Sequence, residues 1–199
     1  MISPPKPMPT TQEADMNGRE QLSMIIPMLK GVADRIRDDQ LGAATPCADF
    51  DVAGVLGHMT GLASGFAPMF RGEEPAQDSS PPADTSATDK FKHAMDELLA
   101  AVTSPGALER TIQTPGGPMP GAVFARLVAF DGLVHGWDLA SATRQDWQPP
   151  EHLVSEVDTF AREAITAEMR NGDAFGPEQQ PPPNANPMHR LVAFTGRRP

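Results

Sequence analysis

Between residues 17 and 39 the chain places apolar side chains at Leu22, Ile25, Ile26, Leu29, Val32, Ala33 and Ile36. Steps of three and four put these on one face of an α-helix. Pro27 falls inside the run, where it either kinks the helix or marks its true start. The next segment, "ATPCADFD", reads as a turn with Asp49 or Asp51 available as a helix N-cap. A second helix follows over 51–71, with an apolar face of Val52, Val55, Leu56, Met59, Leu62, Ala63 and Phe66. Residues 72–87 are acidic and rich in Pro and Ser, the mark of a loop. A third helix over 88–103 turns Phe91, Met95, Leu98, Leu99 and Val102 to one side.

The helical rhythm breaks over 108–120, where "RTIQT" predicts either a short strand or an extended crossover. It resumes over 121–143. A fifth helix, 149–170, opens on Pro-Pro-Glu, which suits a first turn. The remainder to residue 199 reads as mostly extended, with one helical turn at "MHRLVAFTG". No internal repeat is present. The pattern predicts an all-α bundle of four main helices with a short crossover segment and a docked C-terminal tail. Residues 1–16 are expected to form a flexible N-terminal tail and 17–199 one domain. A chain of 199 residues is long enough to bury a full core.

Composition sharpens this outline. Most of the 22 prolines gather at 4–9, 75–82, 115–120, 149–150 and 177–187, so they mainly mark connections and not the core. A formal net charge of −10 repels phosphates, which argues against DNA or RNA as a partner. No run of 18 apolar residues exists to cross a membrane, and "MISPPKPMPTTQ" has no apolar core of a secretory signal. The single cysteine, Cys47, has no internal disulfide partner. A cytoplasmic protein is the expectation.

The candidate chemistry lies in "ARLVAFDGLVHGWDLASAT", residues 125–143. Positions 124, 127, 128, 131, 134, 135, 138, 139 and 142 form one helical stripe, and three of them are ionisable: Asp131, His135 and Asp138. A buried carboxylate without a partner is costly, so something must compensate it. Asp131 and His135 are four apart and rise from one face. That spacing suits two ligands of one metal ion, and it equally suits a buried hydrogen-bonded pair or salt bridge. A metal needs a third ligand from another helix. His58 is the best placed, on the inner side of the second helix, with Gly57 and Gly61 permitting close approach of a backbone or ligand. Asp138 is available to hydrogen-bond His135 or to take an arginine from elsewhere. Cys47, in a turn without a basic neighbour in sequence, reads as a packing residue. Trp137 is a candidate pocket wall or a core aromatic. His93, His152 and His189 read as surface. Arg197 is placed either to meet an anionic substrate group or to pair with the acidic surface.

Three stretches, "TPCADFDVAGVLGHM", "MPGAVFARLVAFDGLVHGWDLASATRQ" and "HRLVAFTGRRP", resemble the signature regions of a DinB-like group. These are actinobacterial metal-binding proteins related to the N-terminal domain of the mycothiol-dependent maleylpyruvate isomerase. The likeness spans residues 20–199 in order. It implies a four-helix bundle holding a divalent metal, usually zinc or nickel, on a His of the second helix and an acid-x-x-x-His pair of a later one. Carried over, these are His58, Asp131 and His135. Asp131 is one methylene shorter than the isomerase's Glu, so its reach is the shortest of the three and a water can bridge it.

The resemblance further implies a low-molecular-weight thiol, mycothiol, as co-substrate, and a small electrophile as its acceptor. The implied function is a metal-dependent thiol S-transferase or a related isomerase or lyase. The thiol proton would go to solvent or to a nearby base such as Asp138, while Arg197 would meet the substrate and Trp137 would line the pocket. The isomerase's further C-terminal domain has no counterpart here, so maleylpyruvate isomerisation itself is not implied. The alternatives are a non-catalytic bundle that binds metal or a small molecule, and a purely structural Asp131–His135 pair. A homodimer is compatible with all three.

Overall fold

The computed structural model describes residues 16–73, 84–114, 116–166, 169–170 and 175–199. The expected N-terminal tail and most of the acidic loop lie outside them. Among the described residues the order is α1 (Gly18–Ala33), α2 (Val52–Arg71), α3 (Ala87–Thr103), β1 (Thr111–Thr114), β2 (Gly117–Pro120), α4 (Gly121–Thr143), α5 (Glu151–Ala164) and α6 (Pro187–Phe194). Helices α1 to α4 close a ring: α1 packs along α4, α2 along α3, with α1 against α3 and α2 against α4. Helix α5 lies on α4, and α6 docks on α5. This is the all-α four-helix bundle with a docked tail.

Each start has a local cause. Asn17 and Glu20 form a capping box on α1, satisfying two otherwise orphan backbone donors. Asp51 caps α2 by accepting from the Gly54 amide at 2.7 Å. Helix α1 runs unbroken through Pro27, which is exposed, so neither a new start nor an end falls there. It ends at Ala33, six residues before the pattern suggested. Residues 38–40 form a separate 3-10 turn. Helix α5 likewise stops at Ala164, where Ile165 turns to extended backbone. The "RTIQT" segment is a strand after all. Thr111–Thr114 pairs antiparallel with Gly117–Pro120, in the register Ile112 opposite Met119.

Helix α4 is the axis of the molecule. Every residue from Gly132 to Ala140 is buried, so its apolar character continues around the whole circumference. The seam with α1 depends on small residues. A Cβ on Gly136 would collide with the Trp147 ring and crowd Leu29 at 3.0 Å. Gly57 and Gly61, by contrast, face open space, so the close approach expected at them is not there.

The tail returns to the bundle through α6. Asn186 caps it by accepting from the His189 amide at 2.7 Å, and Pro187 opens it. Arg162 and Arg170 both stack on the Phe194 ring, at 4.5 and 4.2 Å from its centroid. Gly196 then turns the chain inward with φ 95°, pressed on Gly176, whose Cα would lie 2.9 Å from an added Cβ. That turn delivers Arg197 to the core. Gly196→Ala is expected to cost about 1–3 kcal/mol, because both the backbone angle and the contact forbid a side chain. Urea unfolding measures it, and an unchanged midpoint would remove this account of how the tail docks.

Candidate metal centre

Helices α2 and α4 lie side by side, and His58 of one faces Asp131 and His135 of the other. Asp131 Oδ1 stands 3.8 Å from His58 Nε2 and 3.6 Å from His135 Nε2. The two imidazoles meet edge to face, with centroids 5.1 Å apart. One donor atom from each of the three residues falls within 4.8 Å of the others. The Asp131 carboxylate thus stands between the two histidines. Its carboxylate raises the pKa of the His58 imidazole, against the opposing effect of burial.

Behind this cluster stands a second row. His135 Nδ1 is 2.9 Å from Asp138 Oδ2. An ionised carboxylate only accepts, so the ring proton belongs on Nδ1 and the Nε2 lone pair points to the cluster. Asp138 is 0% exposed. Arg197 holds it with a fork: Nε donates at 3.0 and 3.2 Å to its two oxygens, and Nη2 donates at 2.8 Å to Oδ2. Arg197 Nη1 donates to Thr195 Oγ1 at 3.2 Å. Burial alone would push the Asp138 carboxyl up, but the bonds from His135 and Arg197 outweigh it and hold the group below the usual carboxylate range. The same pairing raises Arg197 against the effect of its own burial.

In front lies a cavity of about 290 Å³, bounded by Cys47, Asp49, Phe50, His58, Phe130, Asp131, Val134, His135, Phe175 and Arg197. Phe50 stacks on His58, at 5.2 Å between centroids. The "TPC" turn is tied by Thr45, whose hydroxyl donates to the Phe50 carbonyl at 2.6 Å and accepts from the Cys47 amide at 3.2 Å. Those bonds set Cys47 and Phe50 on the cavity wall.

Several expected roles change. Asp138 is sealed behind His135 and already ionised, so it is placed to position that ring and not to take a proton from a bound thiol. Arg197 does line the cavity, but its partner is buried Asp138 and not the acidic surface, and most of its donors are committed. Trp137 is buried on the far side of α4, edge-on to His189 at 6.4 Å, and is no part of the cavity wall. His189 is accordingly half-buried, whereas His93 and His152 are exposed. Cys47 sits in the turn and also borders the cavity. Its Sγ belongs to a group with His135 and Asp138 in which donor atoms lie within 4.8 Å of one another. Its basic neighbour, Arg197, is 150 positions away in sequence and invisible to local reading.

Burial nonetheless pushes the Cys47 thiol up, partly offset by the Arg197 charge. The expected result is a sluggish thiol at neutral pH. Iodoacetamide should alkylate it more slowly than a free small thiol, with the rate climbing above pH 9. Rapid alkylation at pH 7 would contradict the half-buried, protonated state.

Fold and site together define a class: a four-helix bundle with a His–Asp–His donor cluster on an open cavity. The family is equally plain. Residues 27–140 match the mycothiol maleylpyruvate isomerase N-terminal domain, and the chain belongs to that family. Two uncharacterised proteins of Mycobacterium tuberculosis are each 31% identical over 168 residues, covering 81% of this chain and 87% of theirs. Among solved structures, the crystal structure of the mycothiol-dependent maleylpyruvate isomerase superposes with a TM-score of 0.57 at 16% identity. The match covers 75% of this chain and 71% of that one. A histidine-to-alanine mutant of that enzyme gives 0.56 at 15% identity. These structures share the fold. No described helix is long and apolar enough to cross a membrane.

Proposed function

We propose that this chain is a metal-dependent thiol S-transferase, or a related isomerase or lyase. It joins a low-molecular-weight thiol to a small electrophile beside His58, Asp131 and His135. Membership of the family makes mycothiol the favoured thiol. The observation that carries the reading is the convergence of three donors from two helices on one side of an accessible cavity, with His135 oriented from behind. Two imidazole nitrogens and a carboxylate oxygen suit zinc or nickel, and three protein ligands leave positions free. A hydrogen-bonded carboxylate behind a ligating histidine is the usual support of such a centre. A divalent cation held there would lower the pKa of a thiol or water and supply a nucleophile at neutral pH.

The chain's own residues prepare that chemistry. Asp138 keeps the His135 proton on Nδ1, and Arg197 keeps Asp138 ionised, so Nε2 stays free to bind. Phe50, Phe130 and Phe175 give the cavity apolar walls, which strengthen every charge interaction inside it. Asp138 is closed off, so a thiol proton leaves to solvent.

The test is thiol consumption with mycothiol and a panel of electrophiles. The expected rate requires both metal and thiol, rises through neutral pH and disappears in His135→Ala. Equal rates for metal-loaded and metal-free protein would leave only a bundle that binds metal or a small molecule without turnover.

A further inference from the structure

Resting on that reading of the site, we propose that its electrophilic substrate carries an uncharged apolar arm, an aromatic ring or a short alkyl chain. That arm occupies a second cleft adjoining the donor cluster. This cleft has a volume of about 220 Å³ and shares Phe130, Asp131 and Phe175 with the polar cavity. Asp131 thus stands at the boundary between two chambers of opposite character. Beyond it the cleft is made by Leu62, Phe66, Phe124, Leu127 and Ile165. Phe66 and Phe124 are already paired edge to face at 4.7 Å, so an aromatic floor is preformed. Met169 stands at the rim, 45% exposed, a flexible thioether suited to closing over ligands of varied outline.

Charge excludes the other class of occupant. Among the described residues that line this cleft, the charged side chain is Asp131, and none is Lys, Arg or His. Arg197 faces the other chamber and is forked onto Asp138. A carboxylate carried to the far end of the cleft would lose its hydration and find no cation among the apolar walls there. A small dicarboxylate with an anion at each end therefore fits poorly. An apolar ring gains from the same walls. A dry cavity of about 150 Å³ is enough to hold benzene, so this one accommodates a ring with substituents.

The experiment is a binding titration of metal-free protein by ligand-observed NMR, with two probes that differ at the far end of the ring. One is 2-phenylethanol and the other is 4-(2-hydroxyethyl)benzoate. The neutral probe is expected to bind, and the benzoate about tenfold more weakly or worse, since its anion would be buried without a partner. Ala164→Trp, which fills the cleft from α5, should weaken 2-phenylethanol by a similar factor. Phe66→Ala, which removes half the aromatic floor, should weaken it without adding bulk. Equal affinity for the two probes overturns the proposal, as does neutral-probe binding that both folded variants leave unchanged. A change of oligomeric state in Ala164→Trp, with probe binding intact, would assign the cleft to a second copy and also overturn it. Metal content measured on the protein as purified without chelator, before the metal is removed for the titration, separates this from the proposed function. Metal without ring discrimination defeats the apolar arm alone, and ring discrimination without metal defeats the donor cluster alone.

Discussion

His135→Ala is expected to abolish the metal binding proposed for this chain, about one divalent ion, the number a single three-ligand centre holds. This is the largest effect expected at the site, because His135 is the residue through which both rows of side chains act. Its Nε2 belongs to the donor cluster, and its Nδ1 is bonded to Asp138 at 2.9 Å. Removing the ring deletes a ligand and leaves Asp138 with Arg197 alone. His58→Ala should also abolish metal, since it removes the only donor that α2 contributes to this group. Asp131→Ala should weaken binding without eliminating it, because two imidazoles remain and a water can take the vacated position. Asp138→Asn touches no donor, yet about a 10–100-fold loss of affinity is expected from the misoriented ring. The measurement is elemental analysis of protein purified without chelator or nickel resin, followed by competition titration. A double His58→Ala, His135→Ala variant that keeps its metal would place the centre elsewhere.

The residues that the structure gathers into this cluster were legible in the sequence because they break a local rule. Three ionisable residues in one otherwise apolar helical stripe demand partners, and Asp131 with His135 is a known ligand spacing. The limits of α4, 121 and 143, were legible too, since "GGPMP" marks the entry. The burial of its middle, Gly132 to Ala140, on all sides was not, because only a stripe was visible where α1, α2, α5 and the hairpin all pack against the helix.

What escaped depends on contacts far apart in sequence. Asp138 meets Arg197 across 59 positions, and Cys47 meets the same arginine across a longer gap. Asp138 was a candidate base only while its partner was unknown. Of the two roles open to Trp137 the structure shows the core aromatic, because two positions along a helix turn it about half a turn away from His135. The ends of α1 and α5 were overextended because Ile36 and Ile165 continue the apolar spacing, although both lie outside the helices and pack there as loop residues.

Asp138→Ala is expected to be the most destabilising single change at the site, by about 3–5 kcal/mol, the usual cost of breaking a buried ion pair from one side. The argument turns on Arg197, which is 9% exposed. With Asp138 gone, its guanidinium is left in the interior with Thr195 as its hydrogen-bonding side chain. Removing both charges should cost less than removing one. Asp138→Leu combined with Arg197→Met replaces the pair with apolar groups of similar bulk, and such exchanges are often near neutral. The sign of the pH dependence follows from the pairing. The folded-state pKa of Asp138 lies below that of the unfolded chain. Its contribution is therefore complete above the ordinary carboxylate range and is lost as pH falls through the folded value. The parent should lose stability in strong acid more steeply than the double variant. Urea unfolding at neutral pH and at pH 3 measures both effects. A single-variant loss below about 1 kcal/mol would mean that water reaches the Arg197 guanidinium and that the second row does not lock His135.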